Sequence, residues 1–298
     1  MGNPVRLSPP DQLLLRACPL CECQVSTPVF QTIRKCRSCG LRFVSPLGNF
    51  HGENETEEYF VSDYLPLHQA NWENSLVERR VHLELIRRYS SLPSQPRLLD
   101  VGCALGFMLQ ETKAAGWEAI GVETSAFAAR YAKQNTGCTV HAGTLQQAGF
   151  ESESFDVITL MDVIEHVPDP CALLSEVNRL LRRGGTLFLV TPNFGSFFVW
   201  LYGPKAYGIG PEEHVTYFQP GTMKRALQKT GFREIVVGSK DFYADNVKRL
   251  LRKNSNHTQA AIKTAFGAST SLSQLRRLAN RLLMHIRFGD KLIALAKK

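Results

Sequence analysis

The 298-residue chain has no run of about 18 or more apolar residues, so no transmembrane helix is expected. Its opening, M-G-N-P-V-R-L-S-P-P, lacks the basic-then-apolar order of a secretory signal. Arg6 stands where an N-myristoylation signal would want Ser or Thr. The expectation is a cytoplasmic protein. No internal repeat is present, which argues against a solenoid. No Gly-Lys-Ser/Thr follows the glycine turn at residues 102–106, which excludes a P-loop, and Ala104 and Phe107 stand where the two later glycines of G-x-G-x-x-G should be.

What is there is an ordinary globular balance, 44% hydrophobic and 21% charged, with an uneven charge. Residues 241–298 hold twelve Lys/Arg against three Asp, a net of +9, while the whole chain is +8. That stretch reads either as a solvated helical face or as a surface for anionic lipid, acidic substrate or nucleic acid. Five of the eight cysteines fall within residues 18–39. Without an export signal, clustered cysteine points to metal rather than disulfides.

From residue 97 strands and helices alternate. R-L-L-D-V, E-A-I-G-V-E, C-T-V-H-A, F-D-V-I-T-L-M-D and T-L-F-L-V-T read as strands, separated by helices at 107–115, 126–135 and 172–181. This is the pattern of βαβ units and a parallel sheet. An aromatic-rich loop follows at 194–207, then a helix at 222–230 and the strands F-R-E-I-V-V-G and D-K-L-I-A-L-A-K-K. The division expected is an arm and Cys module at 1–45, a linker and helix at 46–96, a core at 97–240, a basic helical insertion at 241–288 and a final strand at 289–298.

The first strand ends in Asp100 and turns through Gly102 and Gly106 into a helix, a geometry that brings backbone close to a ligand. The next strand ends in Glu123, whose carboxylate can accept both hydroxyls of a ribose. With these features in order, the chain resembles the class I S-adenosylmethionine-dependent methyltransferases. The resemblance runs through L-L-D-V-G-C-A-L-G-F, G-V-E-T-S, F-D-V-I-T-L-M-D-V-I-E-H-V-P-D-P, L-L-R-R-G-G-T-L-F-L-V-T-P-N and P-E-E-H-V-T-Y-F-Q-P-G-T-M-K-R-A-L-Q-K-T-G-F, over roughly residues 97–235. It is similar to the small-molecule branch of that family. The implied fold is a Rossmann-like doubly wound α/β sheet with an antiparallel last strand. By resemblance, Asp100, Gly102 and Gly106 line the methionine part of the cofactor, with Ala104 where a middle glycine is usual. Glu123 takes the ribose and Thr124 neighbours the adenine. Thr144 stands where an acid usually meets the adenine amino group. Met161 and Asp162 follow the fourth strand beside the cofactor.

Transfer of a sulfonium methyl needs alignment and, for a hydroxyl acceptor, a base. His166, in D-V-I-E-H-V, and His214, in P-E-E-H-V-T-Y-F, are the candidates; each can instead pack a turn or anchor a loop. Sugar C-methyltransferases carry a segment similar to the second. Asp162 can bind the acceptor or cap a helix. The four cysteines Cys18, Cys21, Cys36 and Cys39 form C-x2-C-x14-C-x2-C, the spacing of a closed, structural zinc site, with Cys23 a bystander. The reading is O-methylation of a small-molecule or lipid-linked glycan acceptor, with the basic tail as a candidate for peripheral membrane contact. An RNA methyltransferase gripping nucleic acid with ribbon and tail is the alternative. It is disfavoured because no N-P-P-Y type turn ends the fourth strand and no stacking aromatics interleave the basic residues.

Overall fold

The apolar runs of the sequence become strands buried on both faces in a computed structural model of the chain, which describes residues 15–47, 57–241 and 288–298. The predicted N-terminal arm up to residue 14 and nearly all of the predicted basic insertion, 242–287, lie outside the described residues. So does any membrane contact made there.

Three short strands come first: β1 (Ser26–Phe30), β2 (Ile33–Cys36) and β3 (Arg42–Val44). Residues 46–65 read as a linker, but the chain is already helical from Glu57 through Gln69. Its aromatic residues find partners there that polarity alone does not reveal: Phe60 lies on Tyr64, Tyr64 on His68, and His68 on Phe107. The helix Trp72–Tyr89 follows.

The core strands are β4 (Arg97–Val101), β5 (Glu118–Glu123), β6 (Thr139–Ala142), β7 (Phe155–Met161) and β8 (Leu181–Pro192). They are joined by the helices Phe107–Ala114, Ala126–Thr136 and Pro170–Leu180. Two of these helices start on side-chain caps: the Ala128 amide donates to Ser125 Oγ and the Ala172 amide to Asp169 Oδ1. The short helix Phe197–Tyr202 lies within the expected aromatic loop. Then come β9 (Thr216–Tyr217), the helix Pro220–Lys229, β10 (Arg233–Lys240) and β11 (Lys291–Lys297).

The large sheet has the order β10-β11-β8-β7-β4-β5-β6. Only β11 is antiparallel, inserted between β8 and β10, as the Rossmann-like expectation has it. Consecutive residues point to opposite faces. Leu98, Val157, Phe188 and Ile293 pack with Leu83 and Ile86 of the helix Trp72–Tyr89. Leu99, Ile158, Leu187 and Ala294 share a cluster with Leu173, Leu174, Val177, Met223 and Leu227.

The Cys module departs from the expectation of a separate N-terminal unit. Its sheet has the order β1-β2-β3-β9, so its fourth strand comes from far downstream, just after His214. Cys18, Leu20, Cys36, Leu41 and Phe43 belong to the same apolar cluster as the main core. Among the described residues no helix is long and apolar enough to cross a membrane.

Candidate active site

Parallel register gathers the first group of residues. Asp100 pairs with Gly121 on one side and Thr159 on the other; Glu123 pairs with Ala142, and Met161 with Val190. All stand at the carboxyl ends of the strands, where β4 parts from β7 and sheets of this kind bind ligands. Between β4 and its helix the backbone goes left-handed three times, at Gly102 (φ 71°), Ala104 (φ 44°) and Gly106 (φ 86°). A Cβ on Gly102 would come within 2.5 Å of Val163 Cγ2, and one on Gly106 within 2.9 Å of Thr136 Cγ2. Both glycines are therefore required by conformation and by space.

The turn is tied to the next strand. Glu123 accepts from the Ala104 amide (2.8 Å) and the Ser125 amide (3.0 Å), and the Thr124 hydroxyl lies 3.3 Å from it. Asp100 is buried, at 2% exposure, and accepts from Thr159 Oγ1 at 2.6 Å. Burial pushes its carboxyl up to about 7 against the opposing pull of Thr159 and Arg79. Thr124 and Thr144 are exposed beyond β5 and β6, and Thr144 exchanges hydrogen bonds with Gln147.

The second group lies past the end of β7. Asp162 takes a left-handed φ of 54°, its amide held by the Val190 carbonyl at 2.9 Å. Strain of this kind at a non-glycine residue collects at functional positions. Lys291, at the start of β11, reaches Asp162 at 3.7 Å, and that carboxylate raises the Lys291 pKa. Glu165 is buried, accepts from Thr191 Oγ1 at 2.8 Å, and leaves Oε1 without a hydrogen bond. Burial first, and Asp162 second, push its carboxyl up to about 8.

His166 and His214 face each other edge to face, with ring centroids 4.8 Å apart. Carbonyls can only accept, so each ring is fixed as its Nδ1–H tautomer: His166 donates to Glu213 O (2.9 Å) and His214 to Gly208 O (3.1 Å). In a neutral ring of this tautomer the lone pair is on Nε2. Burial, helped by His166, pulls the His214 pKa down to about 4, so the ring is neutral at pH 7. Ligand-type atoms of Glu165, His166 and His214 all lie within 4.8 Å of one another, a set able to pass a proton or hold a cation.

The four cysteines of the two knuckles also converge within 4.8 Å. Cys18 and Cys39 Sγ are 3.5 Å apart, as are Cys21 and Cys36. That is far too long for a disulfide and close to the edge of about 3.8 Å expected for a tetrahedron of thiolates around zinc. Burial raises the Cys36 thiol, but the Cys39 and Ser38 amides and the Cys21 thiol outweigh it and hold it down to about 6. Cys23 stays outside and turns its thiol toward the Val25 carbonyl.

Residues 74–236, more than half of the chain, match the methyltransferase-domain family. The chain belongs to that family. It is a class I S-adenosylmethionine-dependent methyltransferase. Among its curated relatives are two proteins named ubiquinone biosynthesis O-methyltransferase. The one from Aromatoleum aromaticum is 29% identical over 57% of this chain and 74% of its own length. The one from Hahella chejuensis is 33% identical over 44% of this chain and 54% of its own length. Among solved structures, a SAM-dependent methyltransferase from Archaeoglobus fulgidus shares the fold with a TM-score of 0.55 and 19% identity, covering 80% of this chain and all of that one. Phosphoethanolamine N-methyltransferase 2 of Haemonchus contortus, solved with S-adenosyl-L-methionine, gives 0.55 at 17%, covering 86% of this chain and 61% of that one.

Three features of this methyltransferase escape a reading of its sequence. Arg79, on the helix Trp72–Tyr89, acts on Asp100 across the glycine turn. Lys291 meets Asp162 from the far end of the chain. Phe107 is roofed by Trp72, 4.4 Å away between ring centroids. Arg79 and Lys291 carry no motif; only the sheet order brings them to the strand ends. The aromatic spacing of residues 60–72 was the one readable signal.

Proposed function

We propose that this methyltransferase methylates a hydroxyl oxygen of a small organic acceptor, with His214 as proton acceptor and a zinc ion closing the four-cysteine ribbon. The observation that carries this reading is the pair of facing imidazoles, each anchored through Nδ1 to a main-chain carbonyl, beside the turn that bears Asp162 and Glu165. The relatives named as O-methyltransferases support oxygen as the acceptor atom.

The residues suit the cofactor. Backbone at Gly102, Ala104 and Gly106 approaches the methionine part, with Asp100 as acceptor for its amino group and Arg79 as cation for its carboxylate. Glu123 accepts two amides and the Thr124 hydroxyl, and a rotatable hydroxyl can yield its place to a ribose hydroxyl. Thr124 and Thr144 border the adenine and Met161 the sulfonium side. When bound, S-adenosylmethionine supplies a methyl group already activated toward a nucleophile.

The chain's own residues then align the acceptor, exclude water and take one proton. With the cofactor bound as methyl donor, His214 Nε2 would accept the proton that the hydroxyl of the acceptor gives up. His166 stands next in line to receive that proton, the protonated Glu165 carboxyl can donate a hydrogen bond to the pair, and Asp162 with Lys291 orients the acceptor. The exposed residues Phe197, Trp200 and Leu201 of the short helix form an apolar border, which suits a flat or lipidic acceptor better than a free sugar.

The test is transfer of labelled methyl from the cofactor to separate pools of phenols and catechols, lipid-linked glycans, amines and RNA. The expected result is label in a phenol or catechol as an alkali-stable ether, lost in His214→Gln with cofactor affinity kept. Label confined to amines or RNA overturns the reading.

A further inference from the structure

The ribbon's position poses a question that its metal alone does not answer. A structural zinc module needs only to stabilise itself, yet here it borrows a strand from the segment carrying His214. β3 pairs with β9 through Arg42–Tyr217 and Phe43–Thr216, and the Val44 amide donates to Val215 O at 3.0 Å. The Val215 amide in turn donates to Glu165 O at 2.8 Å, so the His214 strand is stitched between the ribbon and the turn bearing Glu165 and His166.

One side chain spans all three segments. Arg16 Nε donates to Val44 O (2.8 Å), Nη1 to Pro168 O (3.2 Å) and Nη2 to Val215 O (3.0 Å). These carbonyls belong to the ribbon, to the chain just past His166, and to the residue after His214. The guanidinium also lies over the Phe43 ring, 5.3 Å from its centroid. Residues 15–18 belong to no helix or strand. Arg16 is fixed by its amide, which donates to Ser45 Oγ at 2.8 Å, and by Cys18, two residues on, in the four-cysteine cluster.

We propose that Arg16 is a positioning residue for the two histidines and that the four-cysteine centre, by fixing Cys18, fixes Arg16; the ribbon is thereby a wall of the acceptor site. This rests on the histidine and zinc assignments proposed above. Five rigid N–H donors in a planar fork can hold three carbonyls at once; an ammonium on a flexible stem cannot hold the same spread in one geometry. Losing Arg16 frees the register between Val44 and Val215 and lets the two rings part, without touching Asp100 or Glu123.

The test compares the full-length protein with Arg16→Met and Arg16→Lys. In Arg16→Met we expect the Val44 and Val215 amides to exchange hydrogen roughly tenfold faster, kcat to fall by a similar factor, and cofactor affinity to stay within about twofold. Arg16→Lys should recover part of both changes. Unchanged exchange at both amides, or an equal loss of protection across 97–123, overturns the proposal.

A second arm uses the wild-type protein, so it does not depend on a variant folding. Zinc is counted in the purified protein and withdrawn with a chelator while the ring signals of ¹⁵N-labelled histidine are followed. The His166 and His214 signals should move as the metal leaves and return when zinc is restored; signals indifferent to metal overturn the coupling. Protein purified without zinc overturns the metal assignment and leaves the Arg16 variants to decide the rest. Should His214→Gln keep full activity while Arg16→Met still frees Val215, the base assignment fails and the clamp stands.

Discussion

The two halves of the proposed site, one for the cofactor and one for the acceptor, are built by different means. The cofactor half is local and made of backbone: residues 97–123 supply two strand ends, a turn with three left-handed residues and one carboxylate that accepts that turn's amide. The acceptor half is long-range and made of side chains. Arg16, Glu165, His166, His214 and Lys291 come from four separate stretches and meet only because β9 and β11 are threaded where they are. A backbone site is intolerant of any added atom, whereas a side-chain site can lose one group and keep its shape. The halves should therefore fail differently.

Gly102→Val should show the largest effect. It places a Cβ at a φ of 71° and within 2.5 Å of Val163 Cγ2, and the turn must move to accept it. Calorimetric binding of the demethylated cofactor should weaken by more than roughly a hundredfold, the response to more than about 2.7 kcal/mol of displacement. Near-normal affinity would mean that the turn is not the seat of the cofactor.

His214→Gln probes the other half and should do the converse. Cofactor affinity should hold while kcat falls by roughly 10² to 10⁴, the range for loss of a general base. A parallel loss of binding and turnover would erase the contrast between the halves.

That contrast also marks what the sequence can disclose. A strand ending in Asp100, the glycine spacing and Glu123 at the end of the following strand are all contiguous, so period and turn chemistry suffice to find them. Ala104 was readable as a departure from glycine; its φ of 44° explains why glycine is usual there. All seven large-sheet strands were legible in alternation and order, and the antiparallel place of β11 followed from the family resemblance. The joining of β9 to the ribbon did not, because a two-residue strand has no period to detect. The helical turns at 57–69 were hidden by an acidic stretch that reads as linker, although Phe60 packs on Tyr64, Tyr64 on His68 and His68 on Phe107. The clamp by Arg16 uses main-chain carbonyls, which have no sequence signature.

Glu123→Ala should have a middling effect and sharpens the cofactor half. Removing the carboxylate takes away the acceptor for the Ala104 and Ser125 amides as well as the proposed ribose contact. Each charged hydrogen bond is worth about 1.5–3 kcal/mol, so affinity should fall by roughly tenfold to a hundredfold, measured by calorimetry with the fold checked by circular dichroism. Unchanged affinity removes Glu123 from the cofactor site and leaves it as a tie for the turn.

The smallest effect concerns pH, and here the acceptor half works against itself. In the folded protein the Glu165 carboxyl keeps its proton up to about pH 8, against about 4.5 in an unfolded chain. Between those values the native state binds more protons, so Glu165 contributes stability that is full below about pH 4.5 and is lost as pH rises through 8. His214 has the opposite sign. Its folded value of about 4 lies below the ordinary 6.5, so its contribution is present above pH 6.5 and is lost as pH falls through 4. Asp100, raised to about 7, adds to the Glu165 trend at lower pH. In the window from pH 7 to 8 the Cys36 thiol, held down to about 6, pulls the other way, so the Glu165 contribution, a slope of at most about 1.4 kcal/mol per pH unit, is read as the difference between a variant and the wild type. Glu165→Gln keeps an oxygen for the Thr191 hydroxyl and removes the titration. Its denaturation midpoint should fall less steeply than that of the wild type across this window. An equal slope would mean that Glu165 is already ionised in the folded protein, and the two histidines would then face a carboxylate instead of an acid.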